Sequence, residues 1–175
     1  TIEEQRHVIE REKELLGRVL PAHAAAAKKG TIEISASPYY HPILPLLCDT
    51  QMGAASSPGL PLPQNRYHHP EDAQEQLMRG LDLHEKVFGL RPQGVWPSEG
   101  SVSEEVIGIA HKAGVRWMAT DEGVLGRSLG TFFARDSYGS LGYDLANKLY
   151  SIYRYENGGA EMNLLFRDHT LSDLI

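Results

Sequence analysis

The sequence predicts an α/β chain built on a parallel sheet, either doubly wound or closed as a barrel. Three observations carry this. Strand-like and helix-like stretches alternate between residues 31 and 120, and strands joined through helices in one sheet run parallel with right-handed crossovers. The helical stretches open at proline or serine with acidic residues in the first turn and close at glycine, so each is a separate, bounded element. Four strand-like stretches also end in polar clusters, and the C-terminal ends of parallel strands are where α/β folds build their sites.

Residues 1–20 read as an amphipathic helix. Thr1 and Glu4 form a capping-box pattern, and Ile2, Val8, Ile9, Leu15, Leu16, Val19 and Leu20 recur at helical spacing. Pro21 is expected to break this helix or to start a second piece that ends at Gly30. Residues 31–37 alternate with period two and read as a strand stopped by Pro38. Ile43-Leu44-Pro45-Leu46-Leu47 is a packed loop or a short helix, and residues 51–65, rich in Gly, Ser, Pro and Ala, are a surface excursion.

Pro70, followed by Glu71 and Asp72, opens a helix whose face Ala73, Leu77, Leu81, His84 and Phe88 ends at Gly89. His84 on that face reads as a core histidine. Gly94-Val95-Trp96-Pro97 is the next strand, Ser101 with Glu104 reads as the cap of a helix running to Gly114, and Val115–Thr120 is a strand again. Residues 126–149 match no pattern and read as an inserted segment. Ser151–Tyr155, the turn Asn157-Gly158-Gly159 and Glu161–Phe166 form a hairpin.

Composition narrows the function. The chain has 175 residues, 41% of them hydrophobic, which is enough for one domain with a real core. Its 17 Lys+Arg against 23 Asp+Glu give a formal charge of -6 with no basic cluster, which argues against a nucleic-acid partner. The single cysteine, Cys48, excludes an internal disulfide and a cysteine-based zinc site. No apolar run approaches the roughly 20 residues that span a bilayer, and the charged N-terminus is not signal-like, so no membrane partner is expected and the cytoplasm is the expected compartment.

The polar strand ends are Ser37 to His41, Ser98-Glu99, Thr120-Asp121-Glu122 and Arg167-Asp168-His169. On parallel strands they converge on one face. Carboxylates, a cation, histidines and the aromatics Tyr39, Tyr40, Trp96 and Trp117 suit a sugar, whose hydroxyls need charged partners and whose ring faces stack. Two carboxyl groups flanking a glycosidic bond can hydrolyse it, and in a retaining mechanism one attacks as nucleophile about 5 Å from the other, the acid/base. Glu99 is the candidate for the first. Asp121 and Asp168 are candidates for the second, with competing roles as helix cap for Asp121 and as ion-pair partner for Asp168. His41 either meets substrate or anchors its loop. The alternative chemistry is metal-dependent, as in a polysaccharide deacetylase or a mannosidase-like enzyme, with His and Asp ligands; the adjacent His68 and His69 are poorly spaced for it, and chelator sensitivity separates the two readings.

Residues 32–47, Ile32-Glu33-Ile34 through Ser37-Pro38-Tyr39-Tyr40-His41-Pro42 to Leu46-Leu47, together with the helix from Pro70-Glu71-Asp72-Ala73 through Phe88-Gly89, Trp96-Pro97-Ser98-Glu99-Gly100-Ser101-Val102-Ser103, Ala119-Thr120-Asp121-Glu122 and Phe166-Arg167-Asp168-His169-Thr170-Leu171-Ser172-Asp173-Leu174-Ile175, resemble glycoside hydrolase family 57. The resemblance implies part of an incomplete (β/α)7 barrel active on α-glucans such as starch or glycogen, by retaining hydrolysis or transglycosylation, with no metal or other cofactor in the chemical step. It implies that Glu99 is the nucleophile and forms a covalent glycosyl-enzyme. His41, Trp96, Asp121, Arg167, Asp168 and His169 become substrate-contacting or rim residues. The family's first region, a His-Gln-Pro strand, and its acid/base aspartate are not found in residues 1–175, so the chain is expected to be a central piece of a catalytic domain, inactive alone. Amylase, pullulanase or amylopullulanase, branching-enzyme, glucanotransferase and α-galactosidase activities are all compatible with these motifs.

Overall fold

The computed structural model describes residues 1–173; Leu174 and Ile175, the end of the last family-like motif, lie outside the described residues. Helix α1 (Ile2–Lys28) starts at the expected capping box, in which Thr1 Oγ1 accepts the Glu4 N–H at 3.3 Å. It does not break at Pro21. Proline in a helix interior removes a backbone bond at a cost of about 3 kcal/mol, and this helix accommodates it where none of its residues is buried. The apolar stripe from Ile2 to Leu20 is exposed, which departs from the packed face that its spacing predicts.

The stretch expected as a strand over 31–37 is reduced to one bridge, Ala36 beside Val95. Ala36 N donates to Gly94 O at 3.0 Å, and Trp96 N donates to Ala36 O at 2.8 Å. After it come α2 (Leu44–Cys48), a 3₁₀ turn (Thr50–Met52) whose Asp49 cap accepts the Gln51 N–H, and the short α3 (Gly53–Ser56). The long helix α4 (Pro70–Phe88) starts at Pro70 and ends at Gly89 with φ 74°, as its punctuation predicts. It buries Ala73, Leu77, Gly80, Leu81 and His84, and His84 Nδ1 meets Leu90 O at 3.0 Å.

Strand β1 is only Gly94–Val95. Helix α5 (Glu104–Lys112) is capped by Ser103, which accepts the Val106 N–H, and not by Ser101. Strand β2 (Trp117–Asp121) leads directly into α6 (Glu122–Leu129). The unassigned stretch contains a tight turn, in which Asp136 Oδ1 accepts the N–H groups of Tyr138 and Ser140 at 2.9 Å each, and helix α7 (Tyr143–Leu149). Strands β3 (Tyr153–Asn157) and β4 (Ala160–Arg167) form the expected antiparallel hairpin, and α8 (His169–Asp173) follows.

The sheet order is β1-β2-β4-β3, with β1, β2 and β4 parallel. This is the α/β, mostly parallel sheet that the alternation predicts, and it is consistent with part of a barrel. Its core joins Leu77 and Leu81 of α4, Val106 and Ala110 of α5, and Val95, Met118 and Met162 of the strands. A smaller cluster of Leu125, Phe133 and Leu149 packs the 130–150 segment onto α6. Among the described residues no helix is long and apolar enough to cross a membrane.

Candidate active site

All four polar strand ends lie at the C-terminal side of the sheet, because β1, β2 and β4 run the same way and Ala36 pairs with β1 in parallel. The Ser37 hydroxyl donates to Trp96 O at 3.0 Å, which ties the segment after Ala36 to the end of β1. That segment also rides on α4: Tyr39 N and Tyr40 N donate to Gln76, backbone and side chain respectively, at 3.0 Å each. Gly80 makes the approach possible, since a Cβ there would stand 2.3 Å from Ser37 O.

The two arms deliver His41 and Glu99 to each other. His41 Nε2 lies 3.5 Å from Glu99 Oε1, with both side chains more than half exposed. Both residues have positive φ, 57° and 56°. An L-residue pays about 1–2 kcal/mol in this left-handed region, and such strain gathers where a side chain must be aimed. At Glu99 the turn is closed by Gly100 N donating to Pro97 O at 2.9 Å and the Ser101 hydroxyl donating to Ser98 O at 2.7 Å. The Thr120 hydroxyl of β2 donates to Gly100 O. Gly100 itself has φ 63° and sits under the Trp96 ring, which a Cβ would touch at 3.4 Å.

Trp96 links Glu99 to the next strand ends. The Arg167 guanidinium carbon lies 5.7 Å from the Trp96 ring centre, within cation–π range. Register pairs Asp121 with Arg167 on β2 and β4. Arg167 Nε donates to Asp121 Oδ2 at 3.0 Å, and His169 Nε2 meets the same oxygen at 2.5 Å. The other oxygen of Asp121 accepts the Gly123 N–H at 2.8 Å and caps α6.

Asp168 points elsewhere. Its Oδ1 accepts from Arg135 at 2.9 Å and from Leu171 N at 3.0 Å, and its Oδ2 accepts the Tyr150 hydroxyl at 2.7 Å. Burial pushes this carboxyl up, but the Leu171 N–H, the Tyr150 hydroxyl and the Arg135 guanidinium outweigh it and leave it below the ordinary carboxylate range. Arg135 also forks onto Glu122, at 2.7 and 2.5 Å. The sequence marks Glu122 only as part of the Thr120-Asp121-Glu122 strand end, with no role of its own, and does not mark Arg135 or Tyr150. Arg135 comes from the segment without periodicity, and its partners are 13 and 33 positions away in sequence, so no local pattern marks it.

Trp117 stands apart from the site. It begins β2, covers Gly94 and donates from Nε1 to Glu33 at 2.8 Å. His69 pairs with Glu71 at 2.7 Å on the surface. Among the described residues no group of three or more His, Cys, Asp or Glu is arranged to hold a metal ion.

The profile described as Glycosyl hydrolase family 57 matches residues 6–175, nearly the whole chain. The chain belongs to glycosyl hydrolase family 57. A search of curated proteins finds no match. Among solved structures, the 4-alpha-glucanotransferase from Thermococcus litoralis is similar at TM-score 0.61 and 21% identity over 95% of this chain and 21% of that one. The GH57-type branching enzyme from Pyrococcus horikoshii is similar at 0.60 and 18% over 95% and 26%. A GH57 branching enzyme from Thermococcus kodakaraensis, solved in complex with glucose and additives, is similar at 0.59 and 16% over 93% and 28%. At these identities the likeness is one of fold, and the family 57 chain described here spans about a quarter of the length of those enzymes.

Proposed function

We propose that this family 57 chain carries the nucleophile half of a retaining, α-glucan-active site, with Glu99 as the nucleophile. The observation that carries the reading is the placement of Glu99. It is the one carboxylate of the strand-end set that is largely exposed, 72%, and it is held in a left-handed turn beside Trp96 and His41. An exposed carboxylate on a constrained turn can reach a sugar carbon, whereas Asp121 and Asp168 have both oxygens engaged by the protein.

In the proposed reaction a Glu99 oxygen forms a bond to the anomeric carbon as the glycosidic C–O bond breaks, and the leaving oxygen takes a proton from an acid elsewhere in the catalytic domain. Water or a sugar hydroxyl, giving its proton to the group that protonated the leaving oxygen, then forms the bond to the anomeric carbon as the Glu99 C–O bond breaks, which restores the anomeric configuration. His41 holds the carboxylate from one side. Trp96 offers a ring face, and Asp121, Arg167 and His169 offer hydroxyl partners. Asp168 serves the same reading at one remove, by fixing the corner from which His169 projects. The glucanotransferase and branching enzymes of similar fold support an α-glucan as substrate.

The test is turnover of soluble α-glucan by the full-length protein, followed by reducing ends and chain-length distribution. Glu99→Gln is expected to lower kcat on the order of 10³-fold or more, as loss of a nucleophile does, while the fold survives. Turnover near that of the unsubstituted protein sinks the assignment.

A further inference from the structure

Behind the strand ends lies a buried charged group. Arg135, Glu122 and Asp168 have side chains only 15%, 8% and 7% exposed, and they meet as one guanidinium between two carboxylates. Such a group is expensive to bury unless its charges are paired; both terminal nitrogens of Arg135 are bonded, while its Nε is buried without a partner among the described residues. Asp168 and His169 are consecutive at the corner between β4 and α8, and Glu122 is the first residue after Asp121. Glu122 Oε2 accepts the His169 backbone N–H at 3.2 Å, and its Oε1 lies 3.7 Å from His169 Nδ1. The other side of the same ring meets Asp121 Oδ2. His169 is thus held from both sides, by Asp121 directly and by a Glu122 whose own position is set by Arg135.

Arg135 is delivered from a firm support. It bridges to Leu141, its neighbour Phe133 is buried against Leu125 and Leu149, and the turn beyond it is pinned by Asp136. We propose that Arg135 is the positioning residue of the site: by gripping Glu122 and Asp168 it holds the His169 ring on Asp121, and so fixes where Asp121, Arg167 and His169 meet a sugar. A lysine cannot replace it, because a single ammonium cannot fork onto Glu122 while also bonding Asp168.

The kinetic consequence rests on the α-glucan reading, but the positioning itself does not. In the full-length protein, the ¹⁵N signals of the His169 ring are identified by their loss in His169→Asn and compared in the unsubstituted protein, Asp121→Asn, Arg135→Lys and Arg135→Met. The expected result is that the Arg135→Lys signals leave their positions in the unsubstituted protein and move toward those of Asp121→Asn, in which the ring has lost its charged partner. On α-glucan, Arg135→Lys is expected to lose kcat/KM on the order of 10²-fold, the cost of a misplacement near 1 Å, with KM rising more than kcat falls. His169 signals that stay in place in Arg135→Lys, whatever happens to the melting temperature, make Arg135 a stabilising residue only and overturn the proposal. If Arg135→Met does not fold, Arg135→Lys decides alone. If the unsubstituted protein turns over no α-glucan, the functional reading fails while the ring signals still decide the positioning.

Discussion

His41 and Glu99 face each other across 3.5 Å, and among the described residues they are the two non-glycine positions with positive φ. One comes from the arm beyond Ala36 and the other from the end of β1, so two separate left-handed turns converge on one contact. The backbone is held against its preference at the two places from which the candidate nucleophile and its neighbour must reach each other.

That strain is measurable. Glu99→Gly is expected to be more stable than Glu99→Ala by about 1 kcal/mol, because both remove the carboxylate and only glycine fits φ 56° without penalty. Denaturant midpoints of the two variants, with both inactive on α-glucan, check this. An alanine variant as stable as the glycine one refutes the strain.

Gly80→Ala is expected to destabilise although alanine is the better helix former. Helix propensity gains about 1 kcal/mol, but the new Cβ stands 2.3 Å from the backbone oxygen of Ser37, which has no side-chain freedom to yield. Overpacking of this kind costs roughly 1–3 kcal/mol and pushes away the arm that carries His41. A lower melting temperature together with weaker α-glucan turnover is the expected pair of results.

The two serines after Glu99 are expected to separate. Ser103→Ala removes the cap of α5 and costs about 1 kcal/mol of stability, with turnover retained. Ser101→Ala removes the hydroxyl that closes the Ser98–Gly100 turn, and its larger effect falls on turnover. Thermal melts and α-glucan assays of both variants test the division.

Asp168 gives the fold an acid dependence. Its carboxyl lies below the ordinary value of 3.8 in the folded chain. A depressed carboxyl adds stability that is present above the unfolded value and is lost as pH falls through the folded one. Stability is therefore expected to drop as pH falls below about 4. Asp168→Asn is expected to cost about 3 kcal/mol at neutral pH, since it leaves Arg135 with one buried partner fewer, and to flatten that part of the acid profile. Urea midpoints measured between neutral pH and acid follow both effects.

Elements with local chemistry were legible in the sequence. Pro70 and Gly89 bound α4, Asn157-Gly158-Gly159 turns the hairpin, and the polar residues after each hydrophobic run locate Glu99, Asp121 and Arg167 at strand ends. What depended on distant partners was not. The alternating 31–37 stretch keeps only Ala36 as a bridge, because alternation says nothing about whether a neighbouring strand is present. Ser101 and Ser103 both carry cap-like chemistry, and Ser103 holds the position because the Ser101 hydroxyl is engaged at the Glu99 turn. The left-handed φ of His41 and the reach of Arg135 are set by tertiary contacts, which no short window of sequence contains.

The register of β2 on β4 has a kinetic consequence. Asp121 and Arg167 are 46 residues apart in sequence, and the hairpin and helices α6 and α7 lie between or beside them. Closing so long a loop costs entropy before any contact repays it. Local helices and the β3–β4 hairpin are therefore expected to form before β2 pairs with β4, and the cluster of Asp121, Arg167 and His169 after them. Until β4 pairs with it, β2 has an open edge on that side, so substitutions that slow β2–β4 pairing are expected to lower the yield of folded protein before they lower its stability.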